Sequence, residues 1–577
     1  MAQWHKFMKL LICLLLGLSL YASEAEAIRR AHSHLLIHDY QSALKECKRG
    51  LEQYPGSEGL IKAYIRTLAE NGRDDEAILM WKNLETSEKQ ENTDLIETLC
   101  WGILSHLENS SQFAVSIAAL MSAYHTDDVR AVKMLKKELS SSNALLRSLA
   151  AQLSARYRDV TLIEELIRML SQEKVWFVRL EVIKALGLME EQKAKEPLMQ
   201  LILKKRMAVE EKGTAIASLV NIYEGIGEEE LLELTTSKRA GMRYLACQIV
   251  SHLDMKDKGP LIEKLLNDPT SDVRIAALTT LYFMGFKNLS SSTLSKMVDL
   301  TDDVHPPVAL AAAWVVSSFA PETSLQVIRK WVYSADQQSR RLAAYVLGRV
   351  GETGRDLSNQ VLKLTPDPFV KANLALGGIG QDDASDQRAD ILYNFLMLRK
   401  DKLMWDETQI PYFQILSPSQ ICHIPQVPQY PTMVDQLTRL EVSRILSTLQ
   451  HPKAEDVIKS FLKERGIGVT YAASNTLIED GGEEAIVILR ELLDEENEII
   501  RLQAALVLAL SGGEPKAVNI LQDAYKLVDR EMKVNILGAL GYIGDKSSIP
   551  FLISLLEEPY QVLKVVAASA LIQCVYH

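Results

Sequence analysis

A short phrase recurs along most of this 577-residue chain and constrains its fold more than any other feature. It reads "SDVRIAALTTLYFMG" at 271–285, "QSRRLAAYVLGRVG" at 338–351 and "EIIRLQAALVLALSGG" at 498–513. In each copy a basic residue is followed by small or apolar residues three and six positions later. Neighbouring copies lie about 31 to 33 residues apart, and a fixed period of this length is typical of a repeat array.

The segments between these phrases carry apolar residues at helical spacing. Examples are "EEAIVILRELLDEEN" at 483–497 and "KGPLIEKLLNDP" at 258–269. Apolar residues at positions i, i+3 and i+4 predict an amphipathic helix. Each repeat is therefore predicted to be a pair of amphipathic helices. Because one pair cannot bury its apolar face alone, neighbouring pairs must stack.

The basic residues of the phrase form a column that we call the basic ladder. Their position in the first turn of a helix is unfavourable for a cation, because the helix dipole is positive there. Acidic residues nearby, such as Asp272 before Arg274, can compensate. We therefore predict that the ladder ties neighbouring repeats together rather than binding an anionic ligand. Its members are Arg147, Arg179, Arg243, Arg274, Arg340, Arg439, Arg501, Lys533 and Lys564.

A second period, of 34 residues, occurs near the N-terminus. The segments "HDYQSALKECKRGLEQYP" at 38–55 and "GRDDEAILMWKNLET" at 72–86 align with Ala43 on Ala77. The alignment also places Cys47 on Trp81. A small residue at the first position lets two helices approach closely, and the residue one turn later fills the remaining space.

These two patterns resemble known repeat families. The phrase "DVR…A…ALG" is similar to the short form of the HEAT repeat, and the 34-residue period resembles the tetratricopeptide repeat. The resemblance implies an all-α fold, a right-handed α-solenoid of stacked helix pairs. It also implies binding and scaffolding more often than catalysis. The predicted divisions are 28–108 for the tetratricopeptide-like repeats, and 109–404 and 433–577 for the HEAT-like repeats.

The first 27 residues have the pattern of a secretory signal peptide. Lys6 and Lys9 precede an apolar run, and Ala25 and Ala27 form a small-x-small cleavage site. The run is too short to span a bilayer comfortably, which takes about 20 apolar residues. We predict an exported protein, periplasmic or extracellular, with no membrane span after signal cleavage.

One repeat is interrupted by a proline-rich insertion at 405–432. A predicted helix over 384–404 precedes it, and the next ladder helix is expected to begin near Met433. The prolines at 425, 428 and 431 fit the three-residue turn of a polyproline II helix, which cannot continue an α-helix. Its apolar side chains are candidate binding residues, namely Trp405, Tyr412, Phe413, Ile424, Val427 and Tyr430. The insertion is either a strap on the protein's own surface or a recognition element for a partner.

The sequence offers little for catalysis or for metal binding. Phosphate-binding loops, G-x-S-x-G elbows and H-E-x-x-H motifs are missing. His34 and His38 lie one helical turn apart and could form half of a metal site, but no third ligand follows from the sequence. Cys47, Cys100 and Cys247 lie in apolar helical patterns that predict buried thiols. We therefore predict no catalytic residues, no metal and no cofactor.

Charge and architecture together predict a binding protein. The chain has 64 basic and 75 acidic residues and a net charge of −11, which disfavours nucleic acid as a partner. The prediction is an exported, non-enzymatic scaffold that binds protein or peptide partners. The alternative is an enzyme, or a cofactor or metal carrier, of the lyase or hydroxylase kind on the same array. It would require clustered His, Asp or Glu residues from different repeats.

Overall fold

The computed structural model consists almost entirely of α-helices, which confirms the predicted all-helical repeat fold. The structure describes residues 24–82, 84, 92–204, 208–285, 289–381, 383, 385–397, 404–406, 414–416, 431–463, 483–510 and 514–576. Most of the predicted signal peptide, residues 1–23, thus lies outside the described residues. The chain forms two compact units. Unit 1 combines Met1–Lys137 with Leu492–His577, and unit 2 is Glu138–Glu491.

The helices of unit 1 come from both ends of the chain. From the N-terminal segment these are α1 (24–36), α2 (Tyr40–Gln53), α3 (Glu58–Glu70), α4 (Asp74–Lys82), α5 (Thr93–Glu108), α6 (Phe113–His125) and α7 (Arg130–Leu139), the last of which runs into unit 2. Unit 2 continues with α8 (Ala144–Ser154), α9 (Val160–Gln172), α10 (Trp176–Leu188), α11 (Lys195–Leu203), α12 (Val209–Ile222), α13 (Glu228–Thr236), α14 (Ala240–His252), α15 (Gly259–Glu263), α16 (Ser271–Met284), α17 (Ser291–Asp299), α18 (Pro306–Val316), α19 (Pro321–Val332), α20 (Gln337–Leu347), α21 (Arg355–Leu364), α22 (Pro368–Ile379) and α23 (Asp386–Met397).

The remaining elements include two short strands. Unit 2 ends with β1 (Met404–Asp406), β2 (Gln414–Leu416), α24 (Pro431–Thr448), α25 (Ala454–Leu462) and α26 (Glu483–Glu491). Unit 1 resumes with α27 (Glu498–Ala509), α28 (Pro515–Ala524), α29 (Arg530–Ile543), α30 (Ile549–Ser554) and α31 (Gln561–Tyr576). In the described part of the chain no helix has the length and apolarity needed to cross a membrane.

Local sequence signals explain where many of these helices begin. Side chains that accept hydrogen bonds satisfy backbone N–H groups of the first turn, which otherwise lack partners. Proline fits the first helical position because it has no N–H to leave unpaired, and it begins α18, α19, α22 and α28. The capping residues include Asp39, Ser57, Asn92, Asn143, Asp159, Ser290, Asp336, Asp367, Asn497 and Asp529.

Helices that carry the basic ladder pack in sequence within unit 2. The stack runs through α8, α10, α12, α14, α16, α18, α20 and α22, each against the next. Small residues allow close approach, since a Cβ added to Gly377 of α22 would lie 2.3 Å from the Cα of Gly348. Hydroxyl groups link the same helices, as where Ser218 Oγ donates to the Ile183 carbonyl oxygen at 3.0 Å.

The structure corrects the predicted helix over 384–404. Helix α23 ends at Met397, and Met404 belongs to β1, which pairs antiparallel with β2. Residues 398–403 lie outside the described part of the chain. Trp405 and Ile415 are paired opposite each other in the backbone register of the two strands. Aromatic and β-branched residues favour strands over helices. Strand β1 lies against α24, and β2 lies against α22.

Helix α31 joins the two ends of the chain in unit 1. It packs against α29 of the preceding repeat and also against α5 and α6 near the N-terminus. Ser569 Oγ donates to the Ser122 carbonyl oxygen at 2.7 Å, and Lys564 Nζ lies 3.0 Å from Asp75 Oδ1. Repeat arrays normally end in a repeat with a polar outer face. Here the buried surface of α31 is covered instead by the N-terminal helices.

Removing α31 is expected to destabilise the N-terminal helices, because α5 and α6 would lose the helix that covers them. A chain ending before Gln561 should show faster proteolysis within residues 93–125 than the intact chain. The milder Leu571→Ala, at a fully buried position of α31, should cost about 2–5 kcal/mol of unfolding free energy. Tyr542→Phe, which removes one exposed hydrogen bond to His125, is the control. Unchanged protection of 93–125 in the shortened chain would contradict this account.

Candidate functional site

The predicted binding residues of the insertion are located only in part. The backbone of Trp405 lies in β1, paired with Ile415. Tyr412, Phe413, Ile424, Val427 and Tyr430 lie outside the described residues. Their role as a binding surface stays a prediction.

The basic ladder makes specific contacts between repeats of unit 2. Arg274 Nε and Nη2 donate to the two carboxylate oxygens of Asp303 at 2.9 and 3.1 Å, and Nη1 donates to the Asp268 carbonyl oxygen at 2.7 Å. The carboxylate of Asp268 in turn accepts from Arg243 Nη2 at 2.9 Å. Asp268 thus joins two successive arginines, one through its side chain and one through its backbone.

Glu173 likewise joins two successive arginines through its side chain and its backbone. Its carboxylate accepts from Arg147 Nε at 2.7 Å, and its carbonyl oxygen accepts from Arg179 Nη1 at 2.9 Å. Arg179 Nε then donates to Glu211 at 2.7 Å in the first turn of α12. These charge-assisted hydrogen bonds fix the first turns of successive ladder helices next to one another.

Two arginines share one carboxylate at the ladder position of Arg340. Arg340 Nη2 and Arg341 Nε lie 3.3 and 3.1 Å from Asp367 Oδ2. The guanidinium of Arg341 also lies 3.9 Å from the centre of the Phe369 ring. Such stacking and pairing suit the planar arginine head group.

Four ladder members depart from this geometry. Helix α24 begins at Pro431, so Arg439 lies in its third turn and not in the first turn as predicted; its Nη1 donates to the Leu396 carbonyl oxygen at 3.2 Å. Arg501 Nη1 donates to the Glu495 carbonyl oxygen at 2.9 Å. Lys533 Nζ lies 4.9 Å from the centre of the Tyr525 ring. Lys564 pairs with Asp75, as described above.

Three carboxylates of the ladder, Glu173, Asp268 and Asp303, have pKa values below their ordinary range. For Glu173 the hydrogen bond from Arg147 is the main cause of the lowered pKa. Burial opposes ionisation of Asp268 and Asp303, but hydrogen bonds from the arginines and from backbone N–H groups outweigh it, so both pKa values are lowered. These carboxylates and the arginines that bind them are therefore both charged at neutral pH.

An aromatic surface, which we call the aromatic track, crosses three successive ladder helices of unit 2. It consists of Tyr282 and Phe283 at the end of α16, Trp314 of α18, Tyr345 of α20, and Arg349 just after α20. The ring centres of Tyr282 and Trp314 are 4.4 Å apart, and those of Phe283 and Trp314 are 6.3 Å apart. The contacts make one continuous aromatic cluster from residues that are distant in sequence.

Arg349 completes the far end of the aromatic track. Its guanidinium carbon lies 5.5 Å from the Trp314 ring centre and 5.0 Å from the Tyr345 ring centre. Its Nη1 donates to the Tyr345 hydroxyl at 2.8 Å. Trp314 and Tyr345 are buried, whereas Phe283 is 48% exposed. The track thus has a fixed floor and an exposed aromatic edge.

A small cleft lined by glycine lies beside the same helices. Gly348, Gly351 and Gly378 line it together with the buried Arg388. A Cβ at Gly378 would come within 2.2 Å of the Arg388 guanidinium carbon, so only glycine leaves room for this side chain. Arg388 Nη1 donates to the Leu374 carbonyl oxygen at 2.8 Å, and Nη2 lies 2.9 Å from Asp383. Internal partners thus hold Arg388 in place.

The groups considered for chemistry lie apart from one another. His34 Nδ1 is 3.6 Å from Asp39, and His38 Nδ1 is 3.0 Å from the Tyr40 hydroxyl. Within the described ranges no group of three or more His, Cys, Asp or Glu residues could hold a metal ion. The predicted burial of Cys47, Cys100 and Cys247 is observed. Burial raises the pKa of the Cys47 thiol to about 11, which leaves it protonated at neutral pH.

Sequence reasoning missed the aromatic track, although a signal was present. Phe283 and Arg349 each lie nine residues after a ladder arginine, Arg274 and Arg340 respectively. Aligning the repeats on the ladder therefore places both at the same position of the repeat. Trp314 cannot be aligned in this way, because its repeat has no basic residue at the ladder position.

Comparison with known proteins supports the repeat fold. The sequence model of the HEAT-repeat family matches residues 132–219 and 495–572. No curated protein shows significant sequence similarity to the chain. Among solved structures, the karyopherin Kap121p bound to the extreme C-terminus of the protein phosphatase Cdc14p is 12% identical, with a TM-score of 0.35 over 92% of this chain and 72% of that chain.

Two further solved structures share a smaller part of the chain. The complex of CpcE and CpcF of phycocyanin lyase from Nostoc sp. PCC7120 is 15% identical, with a TM-score of 0.21 over 46% of this chain and 94% of that chain. Human deoxyhypusine hydroxylase in complex with glycerol is 14% identical, with a TM-score of 0.20 over 46% of this chain and 98% of that chain.

Arg274→Met is expected to destabilise unit 2 strongly, because it leaves the carboxylate of Asp303 in a poorly solvated site without its cation. The expected cost is about 3–5 kcal/mol of unfolding free energy, visible as a lower thermal midpoint. Arg168→Met is the control, since the half-exposed Arg168 side chain contacts Glu165 and Gln172 within its own helix, and exposed pairs of this kind are worth at most about 1 kcal/mol. If Arg274→Met and Arg501→Ala both left thermal stability unchanged, the structural role of the ladder would be wrong.

Stability is expected to fall in acid because Glu173, Asp268 and Asp303 have lowered pKa values in the folded protein. Their contribution is fully present above the ordinary carboxyl pKa of about 4 and is lost as the pH falls through the lower folded-state pKa. The thermal midpoint should therefore hold from pH 7 to about pH 5 and decline steeply below pH 4. Asp303→Asn should start from a lower midpoint and decline less steeply. A midpoint that stays constant down to pH 3 would be inconsistent with this role.

Proposed function

We propose that this protein is an exported, non-enzymatic scaffold whose aromatic track binds an extended segment of a protein or peptide partner. The observation that carries the proposal is the cluster of Tyr282, Phe283, Trp314 and Tyr345 on three packed helices, which leaves the Phe283 ring 48% exposed. Aromatic rings and arginine dominate the energetics of protein interfaces. The track combines both in one place.

The dimensions of the track suit an extended peptide. Packed helices lie about 8–10 Å apart, so the two steps from α16 to α20 span roughly 16–20 Å. An extended chain rises about 3.3 Å per residue, so five or six residues would cover this length. The exposed ring of Phe283 offers a face on which an apolar or proline side chain can pack.

Arg349 fixes the far end of the track. Its guanidinium lies over the Trp314 and Tyr345 rings, and its Nε and Nη2 atoms are buried, so this side chain holds the rings in place. A partner segment with an apolar or aromatic side chain would match the exposed face of Phe283. This binding mode uses side chains that the fold already holds in position, so it loses little conformational entropy.

The proposal of a non-enzymatic, exported protein has separate support. The cysteines at 47, 100, 247 and 574 are buried, and buried thiols are poor nucleophiles. The pattern of residues 1–27 supports export. Cleavage after Ala27 would retain Ile28, which lies against Gly59 of α3.

Phe283→Ala is expected to weaken peptide binding about tenfold, because it removes the exposed ring of the track. Binding can be measured by screening the purified chain against an array of extended peptides and then determining Kd values for the best sequences by fluorescence anisotropy. Arg349→Ala should also weaken binding, because it removes the side chain that packs on the Trp314 and Tyr345 rings.

The matched control for this experiment is Phe113→Ala. Phe113 is also an exposed phenylalanine, at the start of α6 in unit 1. Affinities that respond equally to both substitutions would place the binding site outside the track. Thermal midpoints of all variants should be compared, since a folding defect would affect every peptide alike.

A further inference from the structure

One edge of unit 2 carries exposed apolar side chains in the turns that lead into the ladder helices. The contacts Arg147–Glu173 and Arg179–Glu211 bring the first turns of α8, α10 and α12 together. These helices therefore begin at the same edge of the unit. The preceding helix α9 ends there because a short turn leads from it into α10, and α11 ends at Leu203, shortly before α12 begins at Val209.

Three large apolar side chains protrude along this edge. Leu145 near the start of α8 is 56% exposed, Trp176 at the start of α10 is 46% exposed, and Leu203 at the end of α11 is 36% exposed. The Trp176 ring meets the Phe177 ring edge-on at 6.2 Å. An exposed tryptophan flanked by leucines in neighbouring repeats is an apolar ridge, and such ridges usually mark a contact surface.

The exposed charge beside this ridge is positive. Lys174, Lys204 and Lys238 are exposed in successive turns at the same edge. The acidic residues Glu173 and Glu211 are engaged with ladder arginines, and Glu210 is half-buried. The N-termini of α8, α10, α12 and α14 add positive potential. A protein with a net charge of −11 therefore presents a locally basic edge.

This combination matches the chemistry of an anionic bilayer surface. Tryptophan favours the boundary between water and the acyl chains, and leucine partitions below it. Lysine side chains can extend from a flexible stem to lipid phosphates. Two clefts of unit 2, at Gly348–Arg388 and at Arg439–Phe461, lie away from this edge.

We propose that this edge docks the protein peripherally on a bilayer that contains anionic lipids. The docking surface, the Trp176 edge, consists of Leu145, Lys174, Trp176, Leu203, Lys204 and Lys238. The apolar side chains enter the interfacial layer, and the lysines pair with lipid phosphates. The aromatic track is formed by other repeats, so the two surfaces carry separate interactions.

The test is co-sedimentation of the purified full chain with vesicles. Vesicles of phosphatidylcholine with 30% phosphatidylglycerol, about a third anionic lipid, should bind the protein at low salt and release it as salt is raised. The double variant Lys174→Glu/Lys238→Glu should weaken this binding on the order of tenfold or more. Trp176→Ala/Leu145→Ala should weaken it by a similar factor with a smaller dependence on salt.

Matched control variants distinguish binding through this surface from non-specific binding to vesicles. Lys133→Glu/Lys136→Glu changes two exposed lysines of α7, and Leu188→Ala changes an exposed leucine at the other end of α10. Neither should alter vesicle binding. Equal binding to pure phosphatidylcholine vesicles, or equal loss in the control variants, would overturn the proposal. So would an edge that binds polyglutamate but no vesicles, which would assign it to an acidic protein partner.

Discussion

A pair of amphipathic helices has apolar surface on both of its sides, and the fold depends on covering each side with another pair. In unit 2 the ladder helices meet this requirement by stacking one on the next. In unit 1 the last helix, α31, has α29 as its preceding neighbour, and α5 and α6 cover the remaining surface. The N-terminal helices thus take the place that a following repeat would occupy.

Where the two ends of the chain meet in unit 1, the polar contacts are of the same kind as those between repeats of unit 2. Within unit 2, Ser218 and Thr280 each donate to a carbonyl oxygen of the neighbouring ladder helix, and Ser569 makes the corresponding contact with α6. The ladder residue Lys564 reaches Asp75, as Arg274 reaches Asp303 one repeat later. Unit 1 therefore continues the pattern of repeat contacts from the C-terminal end of the chain into its N-terminal end.

The ladder also decides which surfaces remain for partners. Because Arg147, Arg179, Arg243 and Arg274 are engaged by carboxylates and carbonyl oxygens, their charges serve cohesion between repeats. The groups left at the surface of unit 2 are different in kind. Aromatic rings with Arg349 form the track, and lysines with Trp176 form the edge. The two proposals thus rest on residues outside the ladder.

The helical repeats and the positions of most ladder residues can be predicted from the sequence alone, because periodicity is a local property of the chain. The sequence also indicated where the repeat is interrupted, although the end of α23 at Met397 and the pairing of β1 with β2 needed the structure. Strand pairing depends on residues that meet only after the chain folds.

Which side chains form the aromatic track, and what covers α31, depends on how the helices pack in three dimensions. Tyr282, Trp314 and Tyr345 come from three repeats, and their contacts depend on the rotation and spacing of packed helices. Ser569 and Ser122 are 447 positions apart, so no local pattern connects them. The sequence sets the period of a repeat protein, whereas the geometry of stacking sets which residues of different repeats share a surface.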